Sequence, residues 1–289
     1  MIIDSKHHPM EDLFRMDRMP HIWCSGCGLG AVVTAFMEGV KKAGKDYDKV
    51  VVVSGIGCTG RVAGYVNLDS FHTTHGRAIP FATGLKLANR DLTVGVISGD
   101  GDLFAIGGNH FIHAARRNVD IVVVCVNNFI YGMTGGQTAP TTPLEAKSST
   151  APYGNYEQPF NLVGIAAAAG ASYVARWTAM HVRRLSDSVA VAAQRKGFSF
   201  IEVVSPCPTV FARKNKKGSG LELLQEFGER SRIDHEADPT KIPLDMKNEI
   251  VCGEFVNDDR PTFWENVQKG IRKNVQIEVD LESKLYDRS

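Results

Sequence analysis

The chain has 289 residues, 43% hydrophobic and 22% charged, with 33 Lys and Arg against 32 Asp and Glu for a net charge of +1. That length suffices to bury a full core in one large domain or two small ones. Near-neutrality excludes a strong electrostatic pull toward nucleic acid or an anionic membrane surface. The longest apolar stretch, VGIAAAAGASYVA from Val163, is too short and too rich in Ala and Gly to span a bilayer. The opening MIIDSKHHPMED carries no apolar signal core. A cytoplasmic, reducing compartment is the expectation, and there six cysteines read as thiols or metal ligands rather than disulfides.

A polar arm, residues 1–20, leads into HIWCSGCGLG, with Cys24 and Cys27 two residues apart. Such a pair can be a redox dithiol, half a zinc site, a disulfide or part of an iron–sulfur cluster. A helical pattern follows over Gly30 to Ala43, with Val33, Phe36, Met37 and Val40 at helical spacing. KVVVVS (49–54), LTVGVIS (92–98), VDIVVVCV (119–126) and FSFIEVVS (198–205) read as strands buried on both faces, and ASYVARW (171–177) as a weaker one. Helices are predicted over Ile79 to Asn89, Ile106 to Arg117 and Met180 to Lys196. This alternation predicts an α/β fold: an open, mostly parallel twisted sheet with helices on both faces. Residues 21–207 form that domain. Residues 208–289, with the basic run RKNKK (213–217) and weak periodicity, read as an irregular extension packing on the core or a partner.

Each distinctive polar motif directly follows a predicted strand. GIGCTGR follows VVVVS, GDGD follows VGVIS, NNFIYG follows VVVCV, and PCP follows FIEVVS. Ligand sites of open α/β sheets lie beyond the carboxyl ends of the strands, so these four motifs are expected to face one crevice.

In SGDGDLFAIGG, Gly99 and Gly101 allow a tight turn, Asp100 offers a hard oxygen, and a helix is expected from about Ala105 with its positive end toward phosphate. Asn127 and Asn128 offer further oxygens. One Asp and one Asn at adjacent strand ends suit Mg²⁺, which takes few protein oxygens and completes its octahedron with phosphate and water. GDG, a helix and a strand, then NN, with 25 residues between Gly101 and Asn127, resembles the thiamine diphosphate fingerprint. The resemblance implies Mg²⁺ held by Asp100, Asn128 and the Ile130 carbonyl. YGMTGGQ (131–137) follows directly; the backbone of its glycines and the hydroxyl of Thr134 are expected to donate to the diphosphate.

Among the cysteines, Cys125 inside VVVCV reads as core, and Cys252 has no cysteine or histidine neighbour in sequence. A second Cys-x-x-Cys is absent, which weakens zinc. The pair precedes the first strand, which argues against a thioredoxin-like dithiol. Cys58 in GIGCTG and Cys207 in SPCP both lie at strand ends; with Cys24 and Cys27 they make four thiolates, the number a [4Fe–4S] cluster needs.

CSGCG, GIGCTGR, HTTHGRAIPFATGLKLA, GDGD, NN and YGMTGGQ, in that order over roughly residues 20 to 215, resemble the β subunit of a 2-oxoacid:ferredoxin oxidoreductase, nearest the two-subunit 2-oxoglutarate type. The resemblance implies that Cys24, Cys27, Cys58 and Cys207 hold one [4Fe–4S] cluster. Ile56, Gly57, Cys58, Thr59, His75, Asp100, Gly101, Asp102, Asn128, Gly132, Met133 and Thr134 then border thiamine diphosphate. His75, favoured over His72, contacts the cofactor, and Arg61 binds the substrate carboxylate. The implied reaction is oxidative decarboxylation of a 2-oxoacid with coenzyme A, or its reverse, with electrons leaving to ferredoxin. The implied partner is an α subunit carrying the pyrimidine-binding domain, in an αβ or (αβ)2 assembly. The alternatives are a non-oxidative decarboxylase or synthase subunit, a member of the same family specific for pyruvate or branched-chain 2-oxoacids, and a non-catalytic metal-stapled module.

Overall fold

The computed structural model describes residues 10–275. The first nine residues of the predicted arm and residues 276–289 of the extension lie outside the described residues. In chain order the elements are α1 (Leu29–Lys42), β1 (Val50–Ser54), α2 (Val62–Tyr65), β2 (Asp69–His72), α3 (Ala78–Ala88), β3 (Thr93–Gly99), α4 (Gly108–Arg117), β4 (Val122–Asn127), and the hairpin strands β5 (Ile130–Tyr131) and β6 (Gln137–Thr138). There follow α5 (Leu162–Ala168), β7 (Tyr173–Thr178), α6 (Val182–Gln194), β8 (Ser199–Val204), α7 (Gly220–Glu229), β9 (Ser231–Ile233), β10 (Ile250–Asn257) and α8 (Phe263–Val275).

Eight strands form one sheet in the order β2-β1-β3-β4-β8-β7-β10-β9. The pairs from β2 through β7 are all parallel, and β10 joins antiparallel to β7. The valine runs explain the centre of this sheet. Successive side chains of a strand point to opposite faces, so Val50 and Val52 enter the layer under α1 and α6 while Val51 and Val53 enter the layer under α3, α4 and α5. Both layers are apolar, and each fully buried Val contributes about 1.5–3 kcal/mol. Gly95 on β3 is a fitted position: a Cβ there would lie 2.5 Å from the Phe36 ring of α1. Cys125 is fully buried within the second layer, as its sequence context implied.

The expected helix after GDG begins earlier than its pattern suggested. A π-helix runs from Gly101 to Ile106 and α4 starts only at Gly108. The wide turn closes through the Gly107 N–H, which donates to the Asp102 carbonyl at 3.1 Å; a Cβ on Gly107 would stand 2.5 Å from that oxygen. π-turns of this kind concentrate at functional sites.

The extension is more regular than its weak periodicity suggested, and the sheet continues across the 207/208 boundary. α7 carries a full capping box between Ser219 and Glu222. The extension is tied down by Arg176, which is fully buried with Glu202, its Nε 2.7 Å from that carboxylate. Its remaining donors reach the Ile242 carbonyl at 2.8 Å and Asn161 Oδ1 at 3.2 Å. Among the described residues no helix is long and apolar enough to cross a membrane.

Candidate functional site

β1, β3, β4 and β8 lie side by side in parallel, so the four motifs that follow them open into one crevice, as the order of the sequence implied. The N-terminal arm completes it. Trp23 Nε1 donates to the Cys58 carbonyl at 2.8 Å, and the Ile22 N–H donates to the Tyr65 hydroxyl at 3.0 Å. Ser205 Oγ donates to the Cys27 carbonyl at 2.5 Å, from the loop just before Cys207. Gly28 turns the chain into α1 with φ 79°; a side chain there would be strained and would meet Ala179 and Ser205 below 3 Å.

These contacts bring Cys24, Cys27, Cys58 and Cys207 to line one cavity of about 170 Å³, with Arg61, Asn128, Gly132 and Met133 in the same wall. Cys27 and Cys207 are buried, Cys58 is half-buried and Cys24 is exposed; all four are free thiols. Burial, then the neighbouring thiols, pushes the Cys58 thiol up to about 11, and Cys27 is raised for the same reasons. Gly132 packs directly on this group, since a Cβ there would lie 3.1 Å from Cys207 Sγ. Cys252 is fully buried in the first core layer and takes no part.

Beside the thiols, Asp100 sits at the end of β3 and is 3% exposed. Thr141 donates to its carboxylate, and the Gly101 and Asn128 backbones supply further hydrogen bonds. None of the described cationic side chains pairs with it, and burial pushes it up to about 6. A buried carboxylate without a countercharge is a fitting seat for a divalent cation.

The structure separates the two asparagines. Asn127 is spent internally: its amide donates to Glu202 at 2.8 Å, and its oxygen accepts from the Phe129 N–H at 3.2 Å. Asn128 is half-buried beside Asp100, and its oxygen accepts only the Ile130 N–H, at 3.3 Å, leaving a lone pair for a cation. Between them and Ile130 the chain turns through Phe129 at φ 65°, a strained value for a bulky side chain that Thr142 pins by donating to the Phe129 carbonyl at 2.6 Å.

Asp102 is also buried, but its carboxylate is filled by protein donors. It accepts from Ser98 Oγ at 2.8 Å, the Gly76 N–H at 2.8 Å and the Ile56 N–H at 3.2 Å, and lies 2.5 Å from His75 Nδ1. A Cβ on Gly55 would sit 1.9 Å from this carboxylate, so the β1 loop can pass only as glycine. Asp102 therefore ties three loops together and sits against the ring of His75. His75 remains 39% exposed at its side chain toward the crevice. His72, at the end of β2, is exposed. The exposed Thr134 hydroxyl donates to Gln137 Oε1 at 2.6 Å. Gly57 has φ 111° and open space where a Cβ would stand. Arg61 is exposed on the cavity wall; its backbone N–H donates to the Cys58 carbonyl at 3.3 Å, and its guanidinium makes no hydrogen bond or ion pair among the described residues.

Sequence reasoning missed Thr141, Ser98 and Trp23. Thr141 lies 41 positions from the carboxylate it serves, and no local pattern carries that signal. Trp23, one residue before Cys24, was visible as an aromatic beside a ligand pair.

The chain is similar to several known proteins. The model of the family "Thiamine pyrophosphate enzyme, C-terminal TPP binding domain" matches residues 55–203, which defines the class. The 2-oxoglutarate synthase subunit KorB of Methanothermobacter marburgensis is 48% identical over 281 residues, 97% of this chain and 98% of that protein. The 2-oxoacid:ferredoxin oxidoreductase 2 subunit beta of Aeropyrum pernix is 43% identical over 187 residues, 65% of this chain and 60% of that one. A solved structure of 2-oxoglutarate:ferredoxin oxidoreductase from Magnetococcus marinus, with 2-oxoglutarate, coenzyme A and succinyl-CoA bound, superposes with a TM-score of 0.83 at 31% identity, covering 96% of this chain and 93% of that one. The chain belongs to the β subunits of the 2-oxoacid:ferredoxin oxidoreductases, within the thiamine diphosphate enzymes.

Proposed function

We propose that the chain is the β subunit of a coenzyme A-dependent 2-oxoglutarate:ferredoxin oxidoreductase, with thiamine diphosphate, Mg²⁺ and one [4Fe–4S] cluster at the strand-end crevice. The observation that carries this reading is the lining of one cavity by Cys24, Cys27, Cys58 and Cys207 together with Asn128 of the metal motif. Thiamine diphosphate supplies the carbanion chemistry that breaks the bond to the substrate carboxylate, and the cluster takes electrons singly.

The chain's own residues do the rest. Asp100 and Asn128, with the Ile130 carbonyl, would hold the cation; Ile56 to Thr59, Gly101 and the Gly132–Thr134 backbone would border the diphosphate. Asp102 holds the ring of His75, which would contact the cofactor. The unpaired guanidinium of Arg61 offers a planar fork to the substrate carboxylate. Trp23 and Tyr65, ring centroids 4.9 Å apart, hold the arm over the thiols. Among the described residues no three His, Cys, Asp or Glu side chains are placed to hold a single metal ion. The thiolates of a [4Fe–4S] cluster surround a larger body.

A single thiamine-binding domain lacks the pyrimidine half of the site, so an α subunit is the implied partner, in an αβ or (αβ)2 complex in the cytoplasm. The deciding experiment copurifies the chain with that subunit and follows viologen reduction over a panel of 2-oxoacids with coenzyme A. A brown complex, bleached by dithionite near ~400 nm and most active on 2-oxoglutarate, is expected. A colourless complex that still decarboxylates would make it a non-oxidative enzyme. Turnover by the chain alone would remove the α subunit from the reading, and Arg61→Ala with an unchanged KM would remove Arg61 from the site.

A further inference from the structure

The basic run Arg213–Lys217 has no part in the reaction described above. Its residues Lys214 to Lys217 form one wall of a groove of about 690 Å³ on the far side of the Tyr131–Gln137 turn from the thiol cavity. Five lysines line this groove, Lys147, Lys214, Lys216, Lys217 and Lys247, against two carboxylates, Glu145 and Asp245. The whole chain has a net charge of only +1, so the excess is local.

The groove is built to keep its shape. Asn215 clamps the two walls: its Oδ1 accepts from the Lys147 N–H at 2.7 Å and its amide donates to the Lys147 carbonyl at 3.1 Å. Lys217 is held by Glu226 at 3.0 Å, and Lys247 faces Glu145 at 3.9 Å. Lys147, Lys214 and Lys216 have no ion-pair partner among the described residues; Lys147 and Lys216 are exposed and Lys214 is half-buried.

Its position relative to the thiols is the decisive point. The turn from Tyr131 to Gln137 is closed by the Gly136 N–H donating to the Tyr131 carbonyl at 2.8 Å. At one end, a Cβ on Gly132 would lie 3.1 Å from Cys207 Sγ; at the other, a Cβ on Gly136 would lie 3.1 Å from Lys214 Cε. One short turn therefore separates the innermost thiol from the lysine groove.

We propose that this groove is the docking surface for an acidic electron-carrier protein, the ferredoxin of the family's reaction, seated beside the cluster. The assignment rests on the cluster reading above. A local positive field speeds encounter with an acidic partner and orients it, and the effect is screened by salt.

The test uses the reconstituted complex with its α subunit, assayed with ferredoxin and with methyl viologen, a small acceptor that needs no docking surface. The variants are Lys147→Gln/Lys214→Gln/Lys216→Gln and the charge reversal Lys147→Glu/Lys216→Glu. The expected result is a rise in the ferredoxin KM of about tenfold or more, a flatter dependence of kcat/KM on ionic strength, and an unchanged viologen rate. Unchanged ferredoxin kinetics overturn the docking surface, and so does equal loss with both acceptors. A raised KM for coenzyme A with ferredoxin unaffected reassigns the groove to its phosphates. If the parent complex shows no dithionite-bleached absorption, the cluster reading itself fails, and that result is distinct from any of these.

Discussion

Nδ1 of His75 lies 2.5 Å from a carboxylate oxygen of Asp102, a residue whose other bonds reach Ser98 on β3, Gly76 and Ile56. One buried side chain thus sets the ring of the crevice histidine and the geometry of the β1 loop. Asp102→Asn keeps the size but turns an acceptor oxygen into a donor facing N–H groups. The cost is about 1–3 kcal/mol for each buried group left unpaired. We expect a lower denaturation midpoint and at least about tenfold weaker thiamine diphosphate binding, equivalent to about 1.4 kcal/mol. Calorimetry at a temperature where the variant is fully folded separates the two effects; unchanged binding there would reduce Asp102 to a structural group.

Asp100 predicts a pH dependence of stability. Its folded-state value is raised from 3.8 to about 6, so its carboxyl is more easily kept protonated in the folded chain than in the unfolded one. The stability this provides is complete below about pH 4 and is lost as pH rises through about 6. At about 1.4 kcal/mol per unit, the span is about 3 kcal/mol. Asp100→Asn should flatten that slope in the cofactor-free chain and raise its stability at pH 7, while abolishing Mg²⁺-dependent cofactor binding. Urea unfolding at pH 4.5 and 7 measures it; parallel pH profiles for the two proteins would refute it.

The thiols should differ in reactivity before any cluster is assembled. Cys58 is half-buried and held at about 11, and the thiolate is the reactive form. Cys24 is exposed. In the cluster-free chain at pH 7.5, iodoacetamide should label Cys24 well ahead of Cys58, with Cys125 and Cys252 unlabelled until denaturation. Peptide mass mapping over time reads the order directly, and equal rates at Cys24 and Cys58 would contradict the placement of the arm.

The buried pair Arg176–Glu202 joins the core to the extension. Arg176→Met leaves Glu202 charged and buried and frees the Ile242 carbonyl, a loss of about 3–5 kcal/mol. Arg176→Met/Glu202→Gln should recover a large part of it, because the stranded charge is gone while an amide oxygen still accepts from Asn127. Equilibrium unfolding of the three proteins tests this; a double variant as unstable as the single one would show that the cost is not electrostatic.

Much of this was legible in the sequence for local reasons. Continuous valine runs can be buried only on both faces, so β1, β3, β4 and β8 and their parallel arrangement could be read from the chain, and the motifs at their ends had to share a crevice. β2 was not legible, because DSFH is short, polar and largely exposed at the sheet edge. β10 was hidden in a tract of weak periodicity and is recruited by pairing with β7.

Residue types and their order determined the cofactor class and the four thiols. Only the tertiary structure decided that Asn127 is spent on Glu202 while Asn128 stays available, that Asp102 serves His75, and that Thr141 caps Asp100 from 41 positions away. It also decided that Trp23 folds the arm back over Cys58. The division has one physical cause. Burial pattern is a property of consecutive residues, whereas the partner of a buried polar group is whichever donor or acceptor the packing brings within about 3 Å, and sequence distance carries no record of that.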